Sequence, residues 1–291
     1  MASWLVDNPQ RLALDGDVDE LHVWLTSGKL RVHGTDGPAR IEVTKVGRQG
    51  VAVSLDAGVL SVRHEVPQEW WRRFGPFWWF VSGRRKYHAH VTIAVPPSAV
   101  SNLTMISGSV VASGLRHGAT VDVTSGSITL MGLGGLVRAK TVSGSIQAMG
   151  VSGDLGLKTV SGEISLAESS AERVYAHTDS GSVTCDLDNP FAREVRLDTI
   201  SGAIAVRVPE DADLDVNLGA TSGRVTSAFR EVQTTRTPGH NAARGRIGTG
   251  SGTLSAYAVS GSVSLLARAS EDFSEPGDTP GTVDTKGTGA V

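Results

Sequence analysis

Residues 137–166 read VRAKTVSGSIQAMGVSGDLGLKTVSGEISL, and within them TVSGSI (141–146) is repeated as TVSGEI (159–164). The same hexad returns as TISGAI at 199–204. Working outward, the Ser-Gly pair recurs at Ser107, Ser125, Ser143, Ser161, Ser180, Ser201, Ser222, Ser251 and Ser260. The first three intervals are 18 residues, followed by 19, 21, 21, 29 and 9. A fixed period of this length marks a repeat architecture in which each unit buries its apolar side only against its neighbours. The 29-residue interval contains the longest insertion, around REVQTTRTPGHNAARG, and the 9-residue interval reads as a half-coil, a half-step shared by Ser152-Gly153.

Two residues after each glycine stand Val110, Ile128, Ile146, Ile164, Val183, Ile204, Val225, Leu254 and Val263. Polar residues such as Thr129, Gln147, Lys158 and Arg196 occupy the intervening positions. Alternation with period two on both sides of a turn predicts two strands per coil, joined at Ser-Gly. Glycine accepts the positive φ of such a corner, and the serine hydroxyl is expected to serve a backbone group there. Leu115, Leu133 and Val151, also 18 residues apart, predict a short third face. The expected fold is therefore all-β: a parallel β-solenoid, or β-helix, of about 18–21-residue coils with Ser-Gly turns.

Three regions follow. Residues 1–100 are expected to form first coils or a β-rich cap, since LHVWLTSGKLRVHG carries its own Ser27-Gly28 turn and an uncovered end would be a sticky edge. Residues 101–268 form the repeats. Residues 269–291, rich in Gly, Pro, Thr and Asp, are expected to be disordered. One stretch breaks the pattern: 67–86, PQEWWRRFGPFWWFVSGRRK.

Composition narrows the function. Glycine supplies 35 of 291 residues, well above the usual share of about 7%. The net charge of -3 gives no global bias toward nucleic acid. Cys185 is the only cysteine, so no intramolecular disulfide forms. The N-terminal residues lack a charged and apolar leader, and no apolar run approaches the length of a membrane-spanning helix, which points to a cytoplasmic protein.

The reiterated TVSGSI, TVSGEI and TISGAI turns, following an N-terminal β segment with the step Val95-Pro96, resemble the bacterial β-strand-repeat family labelled "putative adhesin", domains of unknown function. The resemblance covers roughly residues 15–268. It implies a β-solenoid with a non-enzymatic role linked to the bacterial envelope and its stress responses, and it brings no catalytic residue with it.

Chemistry is sparse. No phosphate-binding GxxxxGK[ST] loop, HExxH or GxSxG is present. GRIGTGSG (245–252) leads into a repeat turn and not a helix, so it lacks the dipole of a phosphate cradle. His88 and His90 share a strand face, but two ligands do not make a zinc site. Asp186 and Asp188 also share a face without a calcium-repeat signature. Cys185 holds an inward ladder phase and reads as an inert buried thiol. Glu163, Asp179 and Asp198 stand near the turns, but without the paired spacing that glycoside hydrolysis requires. No cofactor, metal or catalytic residue is expected.

What remains is the aromatic-basic stretch: Trp70, Trp71, Arg72, Arg73, Phe74, Phe77, Trp78, Trp79, Phe80, Arg84 and Arg85. Rings beside guanidinium groups suit a membrane interface or a protein partner; an end plug for the solenoid is the third reading. The expected role is a non-enzymatic scaffold or binding module, cytoplasmic and peripheral at the inner face of the membrane. A self-assembling solenoid is the alternative, and a polysaccharide-acting β-helix enzyme stands third.

Overall fold

The structure is a computed structural model and describes residues 2–64, 87–189, 192–237 and 239–268. Both the 67–86 stretch and the expected disordered tail lie outside the described residues. Among the described residues there are 22 strands and no helix.

The N-terminal strands are β1 (Ala2–Val6), β2 (Gln10–Ala13), β3 (Glu20–Gly34), β4 (Arg40–Val46), β5 (Val51–Asp56), β6 (Val59–His64) and β7 (His88–Val95). The long β3 bends at Ser27-Gly28. Its first half pairs in parallel with β6 and its second half with β7. Antiparallel strands then cover that end: β5 and β1 beyond β6, and β4 and β2 beyond β7.

The other edge of β3 opens the repeats. There β8 (Val100–Ser113) and β9 (Ala119–Met131) cross their Ser-Gly corners as single strands. In later rungs the corner divides two strands: β10 (Leu136–Ser143) and β11 (Ile146–Met149), then β12 (Ser152–Ser161) and the long β13 (Ile164–Ser180), then β14 (Val183–Leu187). The last rungs are β15 (Glu194–Ser201) with β16 (Ile204–Pro209), β17 (Leu214–Ser222) with β18 (Val225–Ser227), and β21 (Gly252–Ser260) with β22 (Val263–Arg268). Between β18 and β21 lie β19 (Gln233–Thr237) and β20 (His240–Ile247).

Register places the corner serines one above another in the order Ser27, Ser107, Ser125, Ser143, Ser161, Ser180, Ser201, Ser260, Ser222. The glycines beside them have φ between 129° (Gly28) and 157° (Gly162). A Cβ on Gly144 would stand 1.9 Å from the Gly126 carbonyl oxygen, so the rungs approach too closely here for any side chain. Corner hydrogen bonding extends beyond the serine. Thr159, Thr178 and Thr199, two residues before the serine, turn inward and donate to the carbonyls of Gly144, Gly162 and Gly181 at 3.2–3.3 Å. The threonine side chain shares the inward phase, which brings its hydroxyl under the corner.

Two further differences concern the end of the chain. The insertion after Ser222 is no simple corner loop: β19 and β20 form an antiparallel hairpin, and β20 pairs with β17. A strand has two edges, so β17 keeps one for β21, which also pairs with β15. The last coil therefore lies between two earlier ones, out of chain order. Ser251 is also off the corner column, and Leu254 stacks with Val195 and Val216 on the other sheet. Leu115, Leu133 and Val151 are buried behind a second corner of Gly114, Gly132 and Gly150. One apolar core runs from Val6 to Leu265.

Candidate functional site

The Ser-Gly column has one interruption that matters for function. The rung outside β3 is made by β6 and β7, and opposite Ser27 and Gly28 it carries His88 and Ala89. The described residues break off at His64, the end of β6, and resume at Tyr87, just before β7. The two ends meet: the rings of His64 and Tyr87 make an edge contact with centroids 6.0 Å apart. Ser27 Oγ donates to the Tyr87 carbonyl at 2.6 Å. His64 Nδ1 accepts the Thr26 N–H at 3.0 Å, which puts the proton of the neutral ring on Nε2. Burial pushes this imidazole down to about 4, and His88 adds to the shift. His64 Nε2 and Thr26 Oγ1 are buried with no partner among the described residues. Trp70, Trp71, Arg72, Arg73, Phe74, Phe77, Trp78, Trp79, Phe80, Arg84 and Arg85 all belong to the segment between these two ends and lie outside the described residues.

Beside this stem, the outer face of β2, β4, β7 and β3 gathers basic side chains. Because Leu30, Val32, Ala89, Val91, Ile93, Ile41 and Val43 point into the core, alternation turns their neighbours outward. Lys29, His90 and Lys45 form one row across three strands. Arg31, Thr92, Glu42 and Arg11 form the next, and His33, Ala94, Arg40 and Ala13 the third. Glu42 is the acid of these rows and is bound by Arg11 at 3.0 Å. His88 and His90 bring their Nε2 atoms to 3.0 Å, one ring donating to the other. Burial and then Lys45 hold His88 below the ordinary histidine value. His90 is held down by burial first, then by His88, Lys45, Lys29 and Arg31.

Residues 18–266 match the family described as Toastrack DUF4097. The chain belongs to that family. Two solved structures are similar to this Toastrack chain. A "putative cell adhesion protein" from Clostridium sporogenes is 11% identical with a TM-score of 0.26, over 90% of this chain and 100% of that one. A "putative adhesin" from Parabacteroides distasonis is 10% identical with a TM-score of 0.24, over 89% of this chain and 96% of the other. No curated protein matches the sequence.

The other residues weighed from the sequence have structural partners in this Toastrack chain. Cys185 is buried, and burial, with Asp186 adding, pushes its thiol up to about 12. Asp186 is bound by Arg207 and Arg268, and Asp188 by Arg268. His177 Nε2 lies 2.9 Å from Asp179, and Arg196 Nε donates to Asp198 at 2.9 Å. The GRIGTGSG stretch does hold an anion, but an internal one: Thr249 and Ser251 donate to the Asp213 carboxylate at 2.7–3.0 Å. Bonds from Ser251 and Thr249, then the Gly250 backbone, hold Asp213 down at about 2. No group of three or more His, Cys, Asp or Glu suited to a metal occurs among the described residues.

A concavity lies on the outer face of β15, β21, β17 and β20. Its volume is about 490 Å³, with Arg196, Asn217, His240, Arg244 and Tyr257 in its wall. Tyr257 lies flat over Gly219, where a Cβ would stand 2.9 Å from the ring, and its hydroxyl bonds Thr221.

Proposed function

We propose that this chain is a non-enzymatic β-solenoid scaffold, cytoplasmic and peripheral at the inner face of the membrane, which offers its aromatic-basic segment 67–86 to an anionic bilayer. The observation that carries the reading is the interrupted corner. Where the other rungs set a Ser-Gly pair in the corner column, this one sets His88 and Ala89, beside the contact between His64 and Tyr87. The sequence between His64 and Tyr87 holds Trp70, Trp71, Trp78 and Trp79 with Arg72, Arg73, Arg84 and Arg85. Tryptophan settles at the headgroup level and arginine on lipid phosphates, so the composition matches an interfacial contact. The parallel rungs supply a rigid mount. Their advance of 18 residues from β9 to β10 and from β10 to β12 supports the solenoid reading. One end of the stack finishes in antiparallel strands, β1 and β2, and at the other the β19–β20 hairpin covers β17, which favours single rods over end-to-end polymers.

Vesicle flotation tests it. The full chain should float with vesicles of phosphatidylcholine and phosphatidylglycerol and stay behind with phosphatidylcholine alone. Replacing Trp70, Trp71, Trp78 and Trp79 together by alanine should abolish flotation while leaving the melting temperature unchanged. Equal flotation of the two proteins, or none by the wild type, rejects the reading.

A further inference from the structure

We infer that the exposed basic face of β2, β4, β7 and β3 is a second bilayer-contacting surface, which lays the capped end of the rod against anionic lipid headgroups. It deepens the membrane reading above and rests on it, but it uses different residues. Four cations on this face, Lys29, Arg31, Arg40 and Lys45, have no carboxylate partner among the described residues. The acid in their rows, Glu42, is already neutralised by Arg11. Such a concentration is notable in a chain whose net charge is -3.

The layout selects the kind of anion. Neighbouring strands lie about 4.8 Å apart, and alternate residues along a strand about 7 Å apart, so the cations form an open grid on one sheet face. Lys29 and Lys45 flank His90 from opposite sides, and Arg31 and Arg40 sit in the rows beyond. Side chains standing off a sheet diverge, whereas a pocket for one small anion needs donors that converge. A plane of lipid phosphates offers charge at many points and matches the grid. A divalent cation is the wrong guest: at the His88–His90 pair it would face Lys45, Lys29 and Arg31, whose charges add to burial in lowering the imidazoles. The face also adjoins Tyr87, which lies immediately before β7 and against His64.

The test is flotation of the full chain carrying Lys29→Gln, Arg31→Gln and Lys45→Gln together. These side chains are exposed, so an unchanged melting temperature is expected. A basic residue at an anionic membrane surface strengthens binding about fivefold, so the triple variant should partition about 100-fold more weakly at low salt. Wild-type binding should also weaken steeply as salt shortens the screening length. If the triple variant floats within twofold of the wild type while the tryptophan variant does not, this inference fails and the segment reading stands. Loss in both variants supports both surfaces. Saturable binding of inorganic phosphate to the wild type by calorimetry, abolished in the triple variant, would show a pocket for a single anion and overturn the planar surface.

Discussion

Replacing Gly144 by alanine probes the closest approach in the fold. The glycine has φ 144°, and a Cβ would stand 1.9 Å from the Gly126 carbonyl oxygen of the preceding rung. Two costs follow. A side chain in this sparsely populated backbone region costs about 1–3 kcal/mol. Relieving the overlap parts the two rungs at the corner, where Ile128 N donates to the Ser145 carbonyl at 3.0 Å. Losing one such bond and leaving its donor buried costs about 1–3 kcal/mol more. The sum, about 2–6 kcal/mol, is a large part of the about 5–15 kcal/mol typical of a folded domain. The control is Gly132→Ala at the second corner. There φ is 58° and nothing lies within 4 Å of the added Cβ. Glu168 already adopts φ 49° in the next part of that corner series, so a side chain fits. This control should lose only about 1–2 kcal/mol. Urea unfolding followed by circular dichroism measures both, with m unchanged if only native stability moves. Equal losses for Gly144→Ala and Gly132→Ala, or less than about 1 kcal/mol for Gly144→Ala, would refute a corner held by backbone approach.

Two further outcomes follow from buried titratable groups. His64 is neutral in the fold, with its pKa lowered to about 4; the unfolded chain binds more protons between about pH 6.5 and 4, so stability should be complete above 6.5 and fall by about 3 kcal/mol as pH drops through that window. His64→Asn should flatten this slope, and an unfolding series across pH 4–7 that shows the same slope in both proteins would contradict the assignment. Cys185, pushed up to about 12 by burial, should resist a thiol reagent at pH 8 in the native protein and react at once in denaturant; fast native labelling would mean that the core at β14 opens readily.

The repeat region was readable because one short rule governs it. Each rung reuses a corner whose glycine cannot be replaced, flanked by inward residues such as Ile128, Ile146 and Ile164, and parallel stacking converts that spacing directly into neighbours. The N-terminal end obeys no shared spacing. Its outer strands β1, β2, β4 and β5 pair antiparallel, so the partnership of Lys45 with His90 depends on a register shift after Val43 that no local pattern announces. The basic face was missed for the same reason: Arg11, Lys29, Arg31, Arg40 and Lys45 are ordinary surface residues until four strands are set side by side. Alternation of Lys29 and Arg31 with Leu30 was the one available sign. The position of the last coil was equally hidden, because β21 presents the same phases whichever rung it meets.

That displaced coil has a consequence for the order in which the protein can be made. A stack that followed chain order could close rung by rung as it left the ribosome. Here β15 and β16 wait for β21 and β22, which lie some sixty residues further on, as Glu194 meets Thr253 and Ile204 meets Val263. Meanwhile β17 and β18 have been synthesised and must be held aside, with the β19–β20 hairpin guarding the outer edge of β17. Slotting the last strands between them completes both neighbours at once. Folding of this half is therefore gated by the arrival of residues 252–268, and a nascent chain stopped before Gly252 leaves two parallel edges open.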